Sequence, residues 1–501
     1  RHHEGHRRNR WATRRPLHRH RAMYGAISVV IGLPLAAAGT RWFTDYAARM
    51  LNFSISSYAP PLWVTAVEVS VGLLVPLAAA WGPVRKGVRM SVVKALNATG
   101  MTETRFGHRL TDRILGSIRG LPRPVALSLR NTFLRKGRLI LTLSTLTLAS
   151  AMVMAVFGVQ TSIKRTVDDL ETYWGYNVQL STAMPQEADG LESVVSGVDR
   201  VESVETWLDY RATVVRADGT ENEGFTLVGL DPETDFVVPT VVEGRWLVGG
   251  DTNALVVNTD AQNEETSLSV GSEVTLSVLG EEETWRVVGV VKGQLGGAEV
   301  FCNESRLAEV LGTSDVSRVL VRGERSDADS EQELLDAVEE RLADSGYQVT
   351  GARTRSGMAK QLGDLLGILV AFLLMAAGLL ALVGLIGLTG TMTMNVLEST
   401  REIGVMRATG ARHVSIYQIF MTEAITIGTM AWAAGAVLSY PLSLGLVWAL
   451  GESIGVPLSF VFSWAGVGIW LALMLIISSF ASVAPAFRAS QVSVRDAIAY
   501  E

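Results

Sequence analysis

The 501-residue sequence contains one cysteine, Cys302. A single thiol excludes an internal disulfide framework and any multi-thiolate metal site. Histidine is scarce where it would matter: five of the seven fall in the first 20 residues, which leaves the body of the chain without an imidazole ligand set. No G-x-x-x-x-G-K-[ST] phosphate loop occurs. The pairs Lys86-Gly87, Lys136-Gly137 and Lys292-Gly293 lack the upstream glycine and the hydroxyl residue that would hold magnesium, so ATP hydrolysis by this chain itself is not expected. There is no His-Glu-x-x-His, no serine-centred elbow and no Cys/His pair, so an enzyme reading has little support.

Charge is sparse as well, at 19% of residues against 48% hydrophobic, and the mean hydropathy of +0.27 is too high for an ordinary soluble domain. Apolar stretches of membrane-spanning length occur at 24–43, 62–81, 139–161, 362–396, 416–450 and 464–487. The fourth and fifth exceed the bilayer thickness and imply tilt or extension into water. The expected fold is a polytopic α-helical membrane protein of about six spans, with one water-exposed domain between the third and fourth.

The formal net charge of -6 conceals a strong segregation: about three quarters of the 50 acidic residues lie between 161 and 360. The loop 82–138 instead carries 13 basic residues against two acidic ones, which makes it cytoplasmic by the positive-inside rule. Alternating outward places residues 1–20, the loop 401–412 and the tail after Arg488 inside, and the acidic block outside. A rival reading of the start is a signal peptide ending near Leu35-Ala36-Ala37-Ala38-Gly39. The repeat described next favours a retained helix.

The stretch from Pro83 to Leu96 aligns with the stretch from Pro485 to Ile498 at a constant offset: a helix leaving the membrane at proline, a basic collar, then Ser-Val-x-x-Ala-aliphatic. At the same offset the first two spans overlie the last two, as in a parallel membrane repeat whose first copy retains its last two spans. The expected organisation is 1–21 disordered and basic, 22–96 a partial first repeat, 97–138 a basic cytoplasmic linker with an amphipathic helix, 139–161 a span, 162–361 an extracytoplasmic domain, and 362–501 three spans with a cytoplasmic tail. Nucleic-acid binding by the 1–21 run is a weak alternative, and the reading is of no nucleic-acid partner.

Between the fourth and fifth spans lies Glu398-Ser399-Thr400-Arg401-Glu402-Ile403-Gly404-Val405-Met406-Arg407-Ala408-Thr409-Gly410-Ala411-Arg412. Ile403 and Met406, at i and i+3, form an apolar knob flanked by charge, and Gly404 and Gly410 permit tight backbone geometry. Such a segment suits docking into a partner's groove. The alternative is a juxtamembrane loop whose charges only anchor helix ends. With the Glu423-Ala424 pair that follows, this stretch resembles the FtsX/MacB-type permeases of ABC transporters. The resemblance covers about 139–501 and, through the repeat, reaches back to about 24.

The resemblance implies one span, a MacB-like extracytoplasmic domain and three spans, with Arg401, Glu402, Ile403, Gly404, Met406, Arg407 and Gly410 contacting an ABC-type ATP-binding subunit that would hold the ATP and magnesium. No cofactor is expected in this chain. Membrane lipids, a second permease chain or a second copy, and an extracytoplasmic partner are the other expected contacts. The large two-copy members carry the segment in both repeats, whereas here the second alone is recognisable. A scaffold that binds a cell-wall hydrolase or peptide, or an inactive truncated relic, are the competing functions.

Within the membrane, Glu68 is a candidate proton or substrate site, read against a glutamate satisfied by neighbouring helices. Asp364 and Glu423 are expected at the interface. Gly384, Gly387 and Gly390 form a small-residue stripe that predicts a packing seam.

In the outer block, β-patterned runs at 176–181, 212–216, 224–230, 254–258, 273–278, 284–291 and 318–322, and a helix at 329–343 with Leu334, Leu335, Val338 and Leu342 on one face, predict an α+β domain. By resemblance it contains an inserted β-rich part near 211–300. Trp246 reads as a packed aromatic and Cys302 as lying on a buried strand end.

Overall fold

A computed structural model describes residues 14–89, 136–216, 218–293, 297–454 and 458–491. The chain divides into two compact units, 1–121 and 122–501. In the first, helix α1 (Arg14–Leu51) and helix α2 (Leu62–Arg89) form a hairpin. α1 contains the apolar span Gly25–Met50, and α2 begins with the apolar stretch Leu62–Val75. The basic run 14–21, expected to be disordered, is helical, in keeping with the good helix propensity of arginine. Glu68 is exposed on α2 within this unit. Most of the basic linker, with its expected amphipathic helix, and the tail 492–501 lie outside the described residues.

The second unit begins with helix α3 (Lys136–Tyr173), whose 38 residues extend for about 57 Å, nearly twice the hydrocarbon thickness. It leaves the membrane and leads directly into the outer domain. There follow β1 (Val178–Glu187), α4 (Ala188–Ser196), β2 (Val201–Val215), β3 (Phe225–Leu230), β4 (Val241–Gly244), β5 (Ala254–Asn258), α5 (Thr259–Glu264), β6 (Glu273–Val278), β7 (Glu281–Val291) and β8 (Glu299–Asn303). The domain closes with α6 (Glu304–Leu311), β9 (Asp315–Gly323), α7 (Ala328–Asp344) and β10 (Val349–Thr354). Sheet order is β10-β1-β9-β2-β3-β8-β5-β7-β4, with β6 paired to β2 and β7.

The 15-residue β2 joins two lobes. Its first half pairs with β9, and from Leu208 onward it pairs with β3 and β6 of the inserted lobe. The apolar face of α7 is as the sequence predicts: Leu334, Leu335, Val338 and Leu342 are all buried. Cys302 is buried in β8, and Trp246 packs on Phe301 with ring centroids 5.4 Å apart.

The chain returns to the membrane through α8 (Arg355–Glu398), turns through α9 (Thr400–Ala408), and ends its described part with α10 (His413–Ile454) and α11 (Trp464–Gln491). α3, α8, α10 and α11 are each long and apolar enough to cross a bilayer. At the offset relating Pro83 to Pro485, α2 falls on the bounds of α11.

α3 and α8 enter the outer domain side by side, because β1, which follows α3, pairs with β10, which precedes α8, in the register Val178↔Thr354. That junction is pinned by Glu331 of α7, which is fully buried. Its carboxylate accepts from Asn177 Nδ2 (3.0 Å), Arg355 Nη2 (3.0 Å) and the backbone N–H of Ser356 (2.8 Å). A second tie lies on the same side of the membrane. Lys292 Nζ donates to Ser459 Oγ (2.8 Å), which lies 2.9 Å from Asp169 on the upper part of α3.

Close packing within the bundle involves one glycine of the predicted stripe and several other small residues. Gly384 does approach Leu146, but a side-chain carbon at Gly387 or Gly390 would meet nothing within 4 Å. The tight crossings place Gly158 against Ser443, Gly435 against Ser150, and Gly428 against Ser478. α3 thus lies in direct contact with α10, and α10 with α11, where small residues let the backbones approach.

Candidate functional site: the short helix between the fourth and fifth spans

The predicted coupling residues fall in α9 and the turn that follows it. α8 ends at Glu398, Ser399 breaks the helix, and α9 resumes at Thr400. α9 ends in a Schellman arrangement. The Ala411 N–H donates to Met406 O (2.9 Å) and the Gly410 N–H to Arg407 O (3.0 Å), with Gly410 at φ 94°. Gly410 is therefore a geometric requirement of the turn into α10, where an L side chain would be strained.

The apolar knob points inward. Ile403 has no exposed surface and plugs a cluster formed by Val396 of α8, Ile416 and Phe420 of α10, and Ala486 and Ala489 of α11. Met406 packs at the edge of this cluster, and Gly404 is buried. The reading of Ile403 and Met406 as a plug for a partner's groove is corrected accordingly: they clamp α9 to the ends of the last three spans of the same chain. The backbone of Arg401 lies in α9, and its side chain is outside the described residues.

The outward face consists of Glu402, Val405, Ala408 and Thr409, followed by Arg412 and Val414. Val405 is 59% exposed and Val414 62% exposed. Of the predicted residues Glu402 is on this face, and Arg407 is half-buried beside His413, with its Nη2 3.4 Å from His413 Nε2. His413 Nδ1 lies 2.5 Å from the backbone oxygen of Ser490 and so ties the start of α10 to the end of α11. Val405 and Val414 were missed. The signal was present, since Val405 follows Glu402 by three residues and shares its face.

A polar network sits directly above α9. Arg138, at the start of α3, donates from Nη1 to Asn395 Oδ1 (3.0 Å) and pairs with Glu398 through Nη2 (2.7 Å). Asn395 Nδ2 donates to Glu423 Oε1 (2.7 Å), and Thr142 of α3 bonds Thr391 of α8 (2.7 Å). Glu423, expected to be interfacial, is buried at 5% exposure because this network satisfies it. α3, α8 and α10 are thereby joined at the height of α9, and α3 and α8 are the helices that lead into the outer domain. Asp364, by contrast, is exposed near the outer end of α8.

Two domains of known families are recognised. Residues 139–341 match the MacB-like periplasmic core domain, and residues 374–494 match the FtsX-like permease C-terminal domain. The chain is similar to an uncharacterized ABC transporter permease, MJ1507, of Methanocaldococcus jannaschii, with 27% identity over 40% of this chain and 51% of that protein. It is also similar to the pyoverdine export ATP-binding/permease protein PvdT of Pseudomonas syringae (26% identity over 38% of this chain and 32% of that one). The macrolide export ATP-binding/permease protein MacB of Burkholderia pseudomallei is 35% identical over 23% of this chain and 17% of its own length. The chain thus spans about half or less of these curated relatives. Among solved structures, the periplasmic region of MacB from Actinobacillus actinomycetemcomitans aligns over 40% of this chain and 97% of its own at 12% identity, with a TM-score of 0.30.

Proposed function

We propose that this chain, a multi-pass membrane permease of the FtsX/MacB type by the two domains it carries, couples ATP hydrolysis in a separate ABC-type subunit to movement of its own extracytoplasmic domain. ATP and magnesium belong to that partner, and the cargo is an envelope-side lipid, lipoprotein or peptide. The observation that carries the reading is the arrangement of α9. One face is locked by Ile403 into α8, α10 and α11, and the other presents Glu402, Val405 and Val414 to the cytoplasm.

A push on the outward face would move α9 and the span ends as one body, since packed interiors transmit rather than absorb displacement. The Arg138–Glu398 pair and the Asn395–Glu423 bond pass the displacement to α3 and α8. Both helices continue beyond the bilayer to the β1–β10 junction, so the outer domain moves with them. Glu402 supplies charge for pairing with a basic groove, Val405 supplies apolar area, and Arg407 backs the turn.

Site-directed cross-linking tests this. The native thiol of Cys302 is fully buried and burial pushes its pKa up, so an introduced cysteine would be the reactive one. Val405→Cys should cross-link to an ABC-type ATPase, and Ile403→Cys should not. Cross-linking of Ile403→Cys with Val405→Cys inert would reverse the assignment of faces, and no ATPase adduct from either would favour a scaffold that works through its outer domain alone.

A further inference from the structure

A cavity of about 490 Å³ lies where the outer domain meets the membrane helices. Its walls are aromatic: Tyr173 and Trp174 at the top of α3, Tyr176, Trp207 of β2 and Phe301 of β8. Leu362 and Leu365, in the first apolar turn of α8, also line it, and Leu365 is 45% exposed.

Of the charged groups that line the cavity, Glu299 and Arg318 lie deepest, and Arg318 is shared with Asp209 behind the wall. Arg318 pairs through Nε with Asp209 Oδ2 at 2.5 Å, and its Nη2 reaches Glu299 Oε1 only at 3.9 Å. Among the described residues Asp209 Oδ1 has no hydrogen-bond partner. Two carboxylates therefore share one guanidinium in a poorly hydrated site. Burial pushes both acids above the usual carboxylate range, with Arg318 opposing. Arg353 also lines the cavity but is exposed on β10, where water screens it.

An ammonium group fits this arrangement on two independent counts. Aromatic faces attract it through their quadrupoles, and Glu299, which lines the cavity, offers a carboxylate that its guanidinium neighbour does not fully engage. A carboxylate or phosphate would instead place a third anion beside a single buried cation. We propose that this cavity binds an amphiphile bearing a protonated amine, with the ammonium at Glu299 among the aromatic walls and the apolar body lying over Leu362 and Leu365. The site needs no ATPase, so its failure leaves the coupling role of α9 untouched.

The test uses the full chain in maltoside micelles, with a radiolabelled 12-carbon amine as probe and empty micelles as baseline. Saturable binding is expected for the amine and not for the 12-carbon carboxylate. Glu299→Gln should weaken it roughly tenfold or more, the scale of a charge-assisted contact. Met358→Trp, which fills the cavity from its lining, should abolish it even if the glutamine variant fails to fold. Equal binding of the carboxylate, an undiminished affinity in Glu299→Gln, or retained binding in Met358→Trp would overturn the proposal. Competition by dihexanoyl phosphatidylethanolamine would support the site and make a lipid headgroup its source; saturable amine binding without that competition would support it with a free amine as the source.

Discussion

Ile403→Asp is expected to release α9 from the bundle. The side chain has no exposed surface and is surrounded by Val396, Ile416, Phe420, Ala486 and Ala489. A carboxylate there has no cation within its apolar cluster, and an uncompensated buried charge costs on the order of 3–5 kcal/mol. Undocking one nine-residue helix costs less than unfolding the spans, so the expected outcome is local. Trypsin should cut rapidly after Arg407 and Arg412 while α8, α10 and α11 stay intact and the chain remains soluble in detergent. Ile403→Val, which removes one methylene, should cost about 1 kcal/mol and leave the cut sites protected. Protection unchanged in Ile403→Asp would mean that α9 is not held by this plug.

Glu331→Ala should loosen the junction between the outer domain and the membrane. The substitution strips Asn177 Nδ2, the Arg355 guanidinium and the Ser356 N–H of their shared acceptor in a single step. Removing one partner of a buried ion pair costs about 3–5 kcal/mol, and the lower end applies because the Arg355 side chain keeps 19% exposure. Glu331→Gln retains the acceptor oxygen and should lose about 1–2 kcal/mol. Thermal unfolding in detergent, with proteolysis near Arg353 and Arg355 as the local readout, separates the two. If the account is right, Glu331→Ala also uncouples: ATPase binding at α9 survives while outer-domain movement is lost. Equal stability of the alanine and glutamine variants would show that the hub does not pin the junction.

The membrane helices were legible because length and apolarity are properties of single segments, and α3, α8, α10 and α11 all lie on the predicted stretches. Strands β5 and β6 coincide with their predicted runs, since each alternates or is apolar throughout and ends at turn residues. Strands β4, β8 and β10 were missed. β4 is four residues long and exposed throughout, and β10 begins Val349-Thr350-Gly351, so neither carries a strong pattern of its own; each is a strand because a neighbour pairs with it.

The candidate site at α9 was legible as a segment and illegible as a surface. The i, i+3 spacing of Ile403 and Met406 establishes that they share a face, and the identity of the helix that covers this face depends on contacts with residues as distant as Ala489. The same limit hid the network above it. Arg138 and Asn395 are 257 residues apart, and nothing local to Glu423 signals that an asparagine on another helix will satisfy it. The glycine stripe in α8 shows the converse, since small residues permit close approach without choosing the partner.

The most direct test of the account is recovery of an ABC-type ATPase with this chain from detergent extracts, comparing the natural sequence with Val405→Glu. Val405 is exposed and touches no core, so the substitution should leave thermal stability unchanged. The account predicts that the natural chain retains an ATPase and that Val405→Glu loses it. An equally stable Val405→Glu chain that keeps its ATPase would contradict the claim that the outward face of α9 is where the partner engages.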